Sequence, residues 1–271
     1  MPTLYVVATP IGNLEDISLR ALRILGEVKL IAAEDTRKTK KLLNANNIRT
    51  PMTSYYEHNK LTKLDYILDF LQKEDVALVS DAGTPGMSDP GYELIREASR
   101  RGIRVVPIPG ASAVTAAVTA SGLPTDRFLY LGFLPRKAGS RKSLLKSVSG
   151  EPGSIVVLEA PHRLAATLKA MLDILGNRKI AVCRELTKIY EEIFRGTISQ
   201  AIEYFAESRG EFTLVIEGNT VPEEPPAAEE IEKRLREMRL SGLTAREATA
   251  RMALETGLSK KELYRTWLKN N

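Results

Sequence analysis

Two carboxylates sit inside the stretch SDAGTPGMSDPG, Ser80 to Gly91, among three glycines and two prolines. An apolar run, Val76 to Val79, leads directly into it. Glycine-rich turns after strands commonly cradle phosphates, and Gly86 to Gly91 has the glycine spacing of a P-loop. Tyr92 and Glu93 stand where such a loop needs Lys and Ser or Thr. Asp81 and Asp89 would meet a polyphosphate with no cation beside them. The first apolar run ends in Thr9-Pro-Ile-Gly-Asn13 with one glycine, so the dinucleotide fingerprint is missing too. Both loops suit close backbone approach without being built for phosphate. A ligand that is apolar, or cationic at its reactive atom, with a polar adenosine and amino-acid end fits them better. S-adenosylmethionine is such a ligand.

The elements that must position these loops follow from the apolar pattern. Strand-like runs occur at residues 4–8, 28–33, 76–80 and 103–108, with helical stretches at 17–26, 36–43, 60–73 and 92–101 between them. Strand and helix in alternation imply a parallel sheet with helices on its faces. An alanine-rich helix over 111–120 ends at Gly122, a fitting C′ residue. The pattern then changes. Strands are expected at 127–133, 154–159, 179–184, 192–196 and 211–217 with two or three helices, a mixed α+β arrangement. The Pro-rich segment 221–226 reads as a stiff linker. Three helices follow it, two of them opened by capping boxes at Thr244/Glu247 and Ser259/Glu262. The expected domains are an α/β domain over 1–115, a second α/β domain over 116–222 and a helix-turn-helix-like extension over 223–271.

The totals narrow the class. The chain has 271 residues, 43% hydrophobic, 27% charged, with a net charge of +5. This is an ordinary soluble composition that permits an anionic partner without demanding one. The N-terminus shows no signal peptide, and no apolar stretch approaches the ~20 residues of a membrane span. One cysteine excludes an internal disulfide framework, and two histidines leave little for a zinc site. The chain reads as cytoplasmic, with no metal and no membrane contact.

Several motifs in register carry a resemblance. They are Thr9-Pro-Ile-Gly-Asn-Leu14, Ala33-Glu-Asp-Thr-Arg37, the Ser80 to Gly91 loop, Pro107-Ile-Pro-Gly-Ala-Ser-Ala113 and Gly132-Phe-Leu-Pro-Arg136. Together they resemble the tetrapyrrole methylase superfamily, and within it the branch of small-subunit ribosomal RNA (cytidine-2′-O)-methyltransferases. The resemblance spans residues 2–218, and the last helices are similar to that branch's extension. It implies a two-domain α/β fold, usually a homodimer, that binds S-adenosylmethionine between its domains. The implied substrate is a cytidine near the decoding centre of small-subunit rRNA, free or in the assembled subunit. Carried over by position, the cofactor walls are Thr9, Pro10 and Gly12, then Asp81, Ala82, Gly83, Met87 and Ser88. Ala111, Ser112 and Ala113 follow, and Leu158, Glu159, Ala160 and Pro161 close the cleft.

Transfer of a methyl group to a ribose hydroxyl is an in-line displacement in which the protein supplies alignment. The hydroxyl is a weak acid, so a group must accept its proton or stabilise the oxyanion. Glu34 and Asp35 stand at a strand end and helix start, where proton acceptance and helix capping both remain open. His58, beside tyrosines able to stack on bases, is a third catalytic candidate. Arg37 and Lys38 read as RNA contacts. So do Arg136, Lys137, Arg141, Lys142 and Lys146, a run without an acid, expected as a loop kept partly mobile by Gly139 and Ser140. His162 reads as part of a helix start, with Pro161 suited to N1. Trp267 and Cys183 read as packing residues. Two rivals stand beside this reading: a tetrapyrrole methylase of the same fold, and a non-catalytic RNA-binding module.

Overall fold

The computed structural model describes residues 2–57, 59–219, 228–256 and 258–269. His58 and the 221–226 linker lie outside the described residues. The chain divides into two compact units after Asn219.

The larger unit begins with β1 (Thr3–Val7), α1 (Leu19–Glu27), β2 (Leu30–Ala33), α2 (Thr36–Ala45), β3 (Met52–Ser54), α3 (Lys60–Phe70), β4 (Val76–Val79), α4 (Tyr92–Arg100) and β5 (Arg104–Ile108). The strands form one sheet in the order β3-β2-β4-β1-β5, parallel throughout. Alternation along the strands divides the core. Leu4, Leu30, Ala32, Val76 and Leu78 pack under α3 and α4, through Ile67, Leu68, Leu94 and Ala98. Val7, Ile31, Ala33, Ala77 and Val79 pack under α1 and α2, through Ile24, Leu25 and Leu43. Each fully buried Leu, Ile or Val contributes about 1.5–3 kcal/mol. β3 was absent from the sequence expectation. It is a three-residue edge strand directly after Pro51, too short to show alternation.

The second sheet comes from β6 (Phe128–Phe133), β7 (Ser154–Glu159), β8 (Lys179–Arg184), β9 (Glu192–Thr197) and β10 (Phe212–Ile216), ordered β6-β7-β10-β8-β9. Only β6 and β7 are parallel. One face is covered by α6 (Ala138–Ser147), α7 (Pro161–Leu175) and α8 (Ile198–Tyr204). On the other face lies α5 (Ala113–Ser121), with Val114, Ala117 and Val118 against Val156, Ala181, Cys183 and Val215. Gly122 ends α5 in the left-handed region, at φ +75°. Residue 115 falls inside this helix. Burial pushes the Cys183 thiol up to about 11, as befits a packing residue.

The basic run from Arg136 is helical where a mobile loop was expected. Lys137 precedes α6 at its N-cap position, and Gly139 and Ser140 lie in its first turn. Leu144, Leu145 and Val148 pack onto the second sheet's core, and that burial outweighs the weak helix propensity of Gly and Ser.

The smaller unit holds α9 (Ala228–Leu240), α10 (Ala245–Thr256) and α11 (Lys260–Lys269). Ile231, Leu235, Ala248, Met252, Leu263 and Trp267 form its core, with Arg239 stacked 4.4 Å from the Trp267 ring. Thr244/Glu247 and Ser259/Glu262 exchange the hydrogen bonds of two capping boxes. Among the described residues no helix is long and apolar enough to cross a membrane.

Candidate active site

Neighbouring strands β1 and β4 send their connections in opposite directions across the sheet, to β2 and to β5. Ligands of open α/β sheets bind in the crevice this leaves at the carboxyl ends. Here the two strand ends are joined by a main-chain seam. Thr9 and Gly83 form an antiparallel bridge, each N–H donating to the other's carbonyl at 2.9 Å. Gly83 holds φ at +78°, a conformation that suits glycine. Gly83 faces a cavity of about 450 Å³, and Thr9 faces a smaller pocket of about 230 Å³.

The larger cavity gathers Ala82, Gly83, Met87 and Ser88 from the loop after β4, and Ser112 and Ala113 at the start of α5. Leu158, Glu159, Ala160 and Pro161 at the end of β7 complete it from the second sheet. These are ten of the fifteen residues expected to wall the cofactor. Thr9, Pro10 and Asp81 line the smaller pocket instead, with Lys38 and Lys41. Gly12 packs against Thr187 and Lys188 in the β8–β9 loop, leaving no space for a Cβ. The Ala111 carbonyl lies behind Gly83. Glu159 is 2% exposed, and its carboxylate turns inward. It accepts hydrogen bonds from Thr167 Oγ1 at 2.6 Å and from Ala160 N, and pairs with Arg163 Nε at 3.2 Å. His162 lies in the first turn of α7 and also reaches the cavity.

Sequence reasoning missed several lining residues: Ile11, Asp89, Tyr130, Phe133, Phe212 and Thr213. Tyr130 and Ser88 hydroxyls meet at 2.7 Å, joining the second sheet to the loop after β4. A bulge between Tyr130 and Gly132 turns β6 toward this contact. At Gly132 a Cβ would come within 2.7 Å of Ser88 Oγ. The signal for Asp89 was its place between Gly86 and Gly91 in an Asp-Pro turn.

The remaining acids lace the ends of β2 and β4 together. Asp81 N donates to Glu34 Oε2, and Asp35 N donates to Asp81 Oδ1, both at 3.0 Å. Lys38 Nζ pairs with Asp81 Oδ2 at 2.7 Å. Asp35 caps α2, accepting from Arg37 N at 2.8 Å and pairing with the Arg37 guanidinium at 2.7 Å. Those bonds hold the Asp35 carboxyl well below the usual carboxylate range. Burial raises Glu34 above it. Burial, reinforced by the Glu34 charge, pushes Asp89 up to about 7 against the opposing influence of the Ser80 hydroxyl. Glu34, Asp35 and Arg37 line a shallow groove with Ser54 and Tyr56. Arg136 and Lys137 are exposed beside α6. Arg141 folds back toward the Arg136 carbonyl at 3.4 Å, and Lys142 lies 3.9 Å from Asp173.

The larger cavity fits S-adenosylmethionine in size and in chemistry. Its volume lies in the range of ligand sites, roughly 300–1,000 Å³. Among the described residues no Lys or Arg lines it, whereas Asp89 does. Ile11, Val114, Phe133 and Leu158 offer apolar walls, and Gly83 allows close main-chain approach. Such a lining welcomes a cation and repels a polyphosphate.

Residues 3–202 match the family model of Tetrapyrrole (Corrin/Porphyrin) Methylases. Among curated relatives, a Synechocystis protein named "Ribosomal RNA small subunit methyltransferase I" is 49% identical over 97% of this chain and 96% of its own length. The protein of that name from Halalkalibacterium halodurans is 47% identical over 97% of this chain and 93% of its own length. The Thermotoga maritima one is 48% identical over 80% of this chain and 99% of its own length. Solved structures agree in fold. Uroporphyrin-III-C-methyltransferase from Thermus thermophilus superposes with a TM-score of 0.56 at 17% identity, over 80% of this chain and 94% of that one. A diphthine synthase gives 0.60 at 14%, over 80% and 90%. The chain belongs to the tetrapyrrole methylase family, in the branch of its ribosomal RNA small subunit methyltransferase I relatives.

Proposed function

We propose that this protein uses S-adenosylmethionine to methylate the ribose 2′-hydroxyl of a cytidine in small-subunit ribosomal RNA, near the decoding centre. The observation that carries the reading is the near-full-length match to relatives named as ribosomal RNA small subunit methyltransferases; the cytidine ribose as target follows from the motif resemblance. The cavity, which among the described residues is lined by carboxylates and by no Lys or Arg, agrees with it.

S-adenosylmethionine supplies a methyl group on a positively charged sulfur. The chain's own groups do the rest. Gly83 and the start of α5 offer main chain, while Ile11, Met87 and Phe133 offer apolar surface. Glu34, partly buried and raised in affinity for protons, is the proposed acceptor of the hydroxyl proton. Asp35 serves the scaffold as the α2 cap. Lys38 and Lys41 at the smaller pocket, with Arg37, Arg136, Lys137, Arg141 and Lys142, meet the RNA backbone. The same reading makes the protein a homodimer, measurable by sedimentation.

Labelled methyl transfer tests the function. Small subunits or rRNA lacking the modification should take label at one cytidine ribose. Label on a tetrapyrrole and none on RNA would favour the small-molecule rival. No cofactor binding at all would favour the RNA-binding module.

A further inference from the structure

Resting on that reading, we infer that Asp89 senses the charge of the methyl donor, taking its ionised form beside a bound sulfonium and its protonated form beside the neutral sulfur of the product. The residue thereby sets the preference for donor over product.

The geometry begins with the backbone. Gly86 and Gly91 approach so closely that a Cβ on Gly91 would lie 3.0 Å from Gly86 N and 3.1 Å from Leu78 Cδ2. The loop is pinched there, and its tip carries Met87, Ser88 and Asp89 to the cavity wall. Ser88 takes φ +64°, unusual for a non-glycine residue, and is held across the cavity by Tyr130. Asp89 therefore sits on a fixed tip.

The charges around Asp89 are one-sided. Glu34 at the end of β2 and Asp81 after β4 both oppose its ionisation, in that order of strength. The nearby Ser80 hydroxyl favours the ionised form, and the Lys38 charge on α2 is the weakest influence. Lys38 is already engaged by Asp81. From the second sheet the titratable neighbours are Tyr130 on β6 and, elsewhere on the cavity wall, Glu159, His162 and Glu211. Glu159 pairs with Arg163, and Glu211 pairs with Lys188. Among the described residues, Asp89 has no such cation of its own. Without a ligand its carboxyl sits at about 7. An entering cation supplies the missing countercharge, so ionisation and cation binding reinforce each other. A neutral thioether supplies none.

Calorimetric titration of the full chain tests this between pH 6 and pH 8, in two buffers of different ionisation enthalpy. The ligands are S-adenosylmethionine and S-adenosylhomocysteine. They share their amino and carboxyl groups, so the difference between them isolates the sulfur's charge. Donor affinity relative to product should rise about tenfold across this range, as expected when ionisation near pH 7 accompanies binding. Proton release on binding should be larger for the donor. Asp89→Asn should remove both effects. Glu34→Gln keeps Asp89 in place and should move the midpoint to lower pH, which a merely structural Asp89 would not do. Equal pH responses for the two ligands, or a difference surviving in Asp89→Asn, would overturn the inference while leaving the methyltransferase intact. Failure of the unsubstituted chain to bind either ligand would overturn the methyltransferase reading, and this inference with it.

Discussion

The turn after β2 and the loop after β4 leave neighbouring strands of one sheet, and they use their acids in opposite ways. After β2, Asp35 caps a helix and is clamped by Arg37, two residues along. After β4, Asp89 is surrounded by burial and by other carboxylates. An acid with a cation in its own turn becomes scaffold. An acid withdrawn from water without one remains responsive to whatever charge arrives. Glu34 lies between the two, raised by burial yet holding the Asp81 N–H.

The largest effect that would break this contrast concerns turnover. Glu34→Gln should lower the single-turnover rate by about 10²–10⁴, the usual worth of a positioned proton acceptor. Donor affinity at pH 8 should stay within a few-fold. An unchanged rate would remove Glu34 from the chemistry. Gly83→Val should come next. A β-branched residue resists the left-handed conformation and strains the seam by about 1–3 kcal/mol. Donor affinity should fall at least about tenfold, measured by calorimetry on protein shown to be folded by circular dichroism. Gly83→Ala has room, 3.5 Å from Ile11 Cγ2, and should show a smaller version of both losses.

Cations extend the contrast. Arg37 and Lys38 are engaged by acids, whereas Arg136 and Lys137 stand exposed. Neutralising Arg136 and Lys137 together should flatten the log–log salt dependence of RNA binding by about 1.5. Neutralising Arg37 and Lys38 together should change it by less than about 0.7. An equal change for the two sets would erase the distinction.

The smallest effects are in stability, and their signs differ. Asp89 holds its proton in the fold up to about pH 7 and loses it near 3.8 when unfolded. Its contribution is neutral below that window and becomes destabilising as pH rises through it. Asp89→Asn should therefore raise Tm at pH 8 by several degrees and leave it unchanged at pH 3. Asp35 has the reverse sign. Its depressed carboxyl stabilises the fold above pH 3.8, and the benefit fades as pH falls below that value. Asp35→Asn retains a good capping side chain, so turnover should change by less than about threefold.

Much of this frame was legible in the sequence. Near-continuous apolar strands and the density of glycine and proline after β4 are local signals, and both survive into the structure. What stayed hidden depends on contacts distant in the chain. Tyr130, Phe212 and Thr213 reach the cavity only because the second sheet folds against the loop after β4. The helical state of the Arg136 run comes from Leu144 and Leu145 burying themselves, which charge and glycine content mask. Asp89 was visible as an acid, but its proton affinity is a property of surroundings that no spacing reveals.

The Thr9–Gly83 bridge partitions the crevice with peptide groups alone. Side chains on one side of a wall built from peptide groups can be exchanged without moving those on the other. Evolution can thus redraw the pocket beside Thr9 while the cavity beside Gly83 is inherited unchanged.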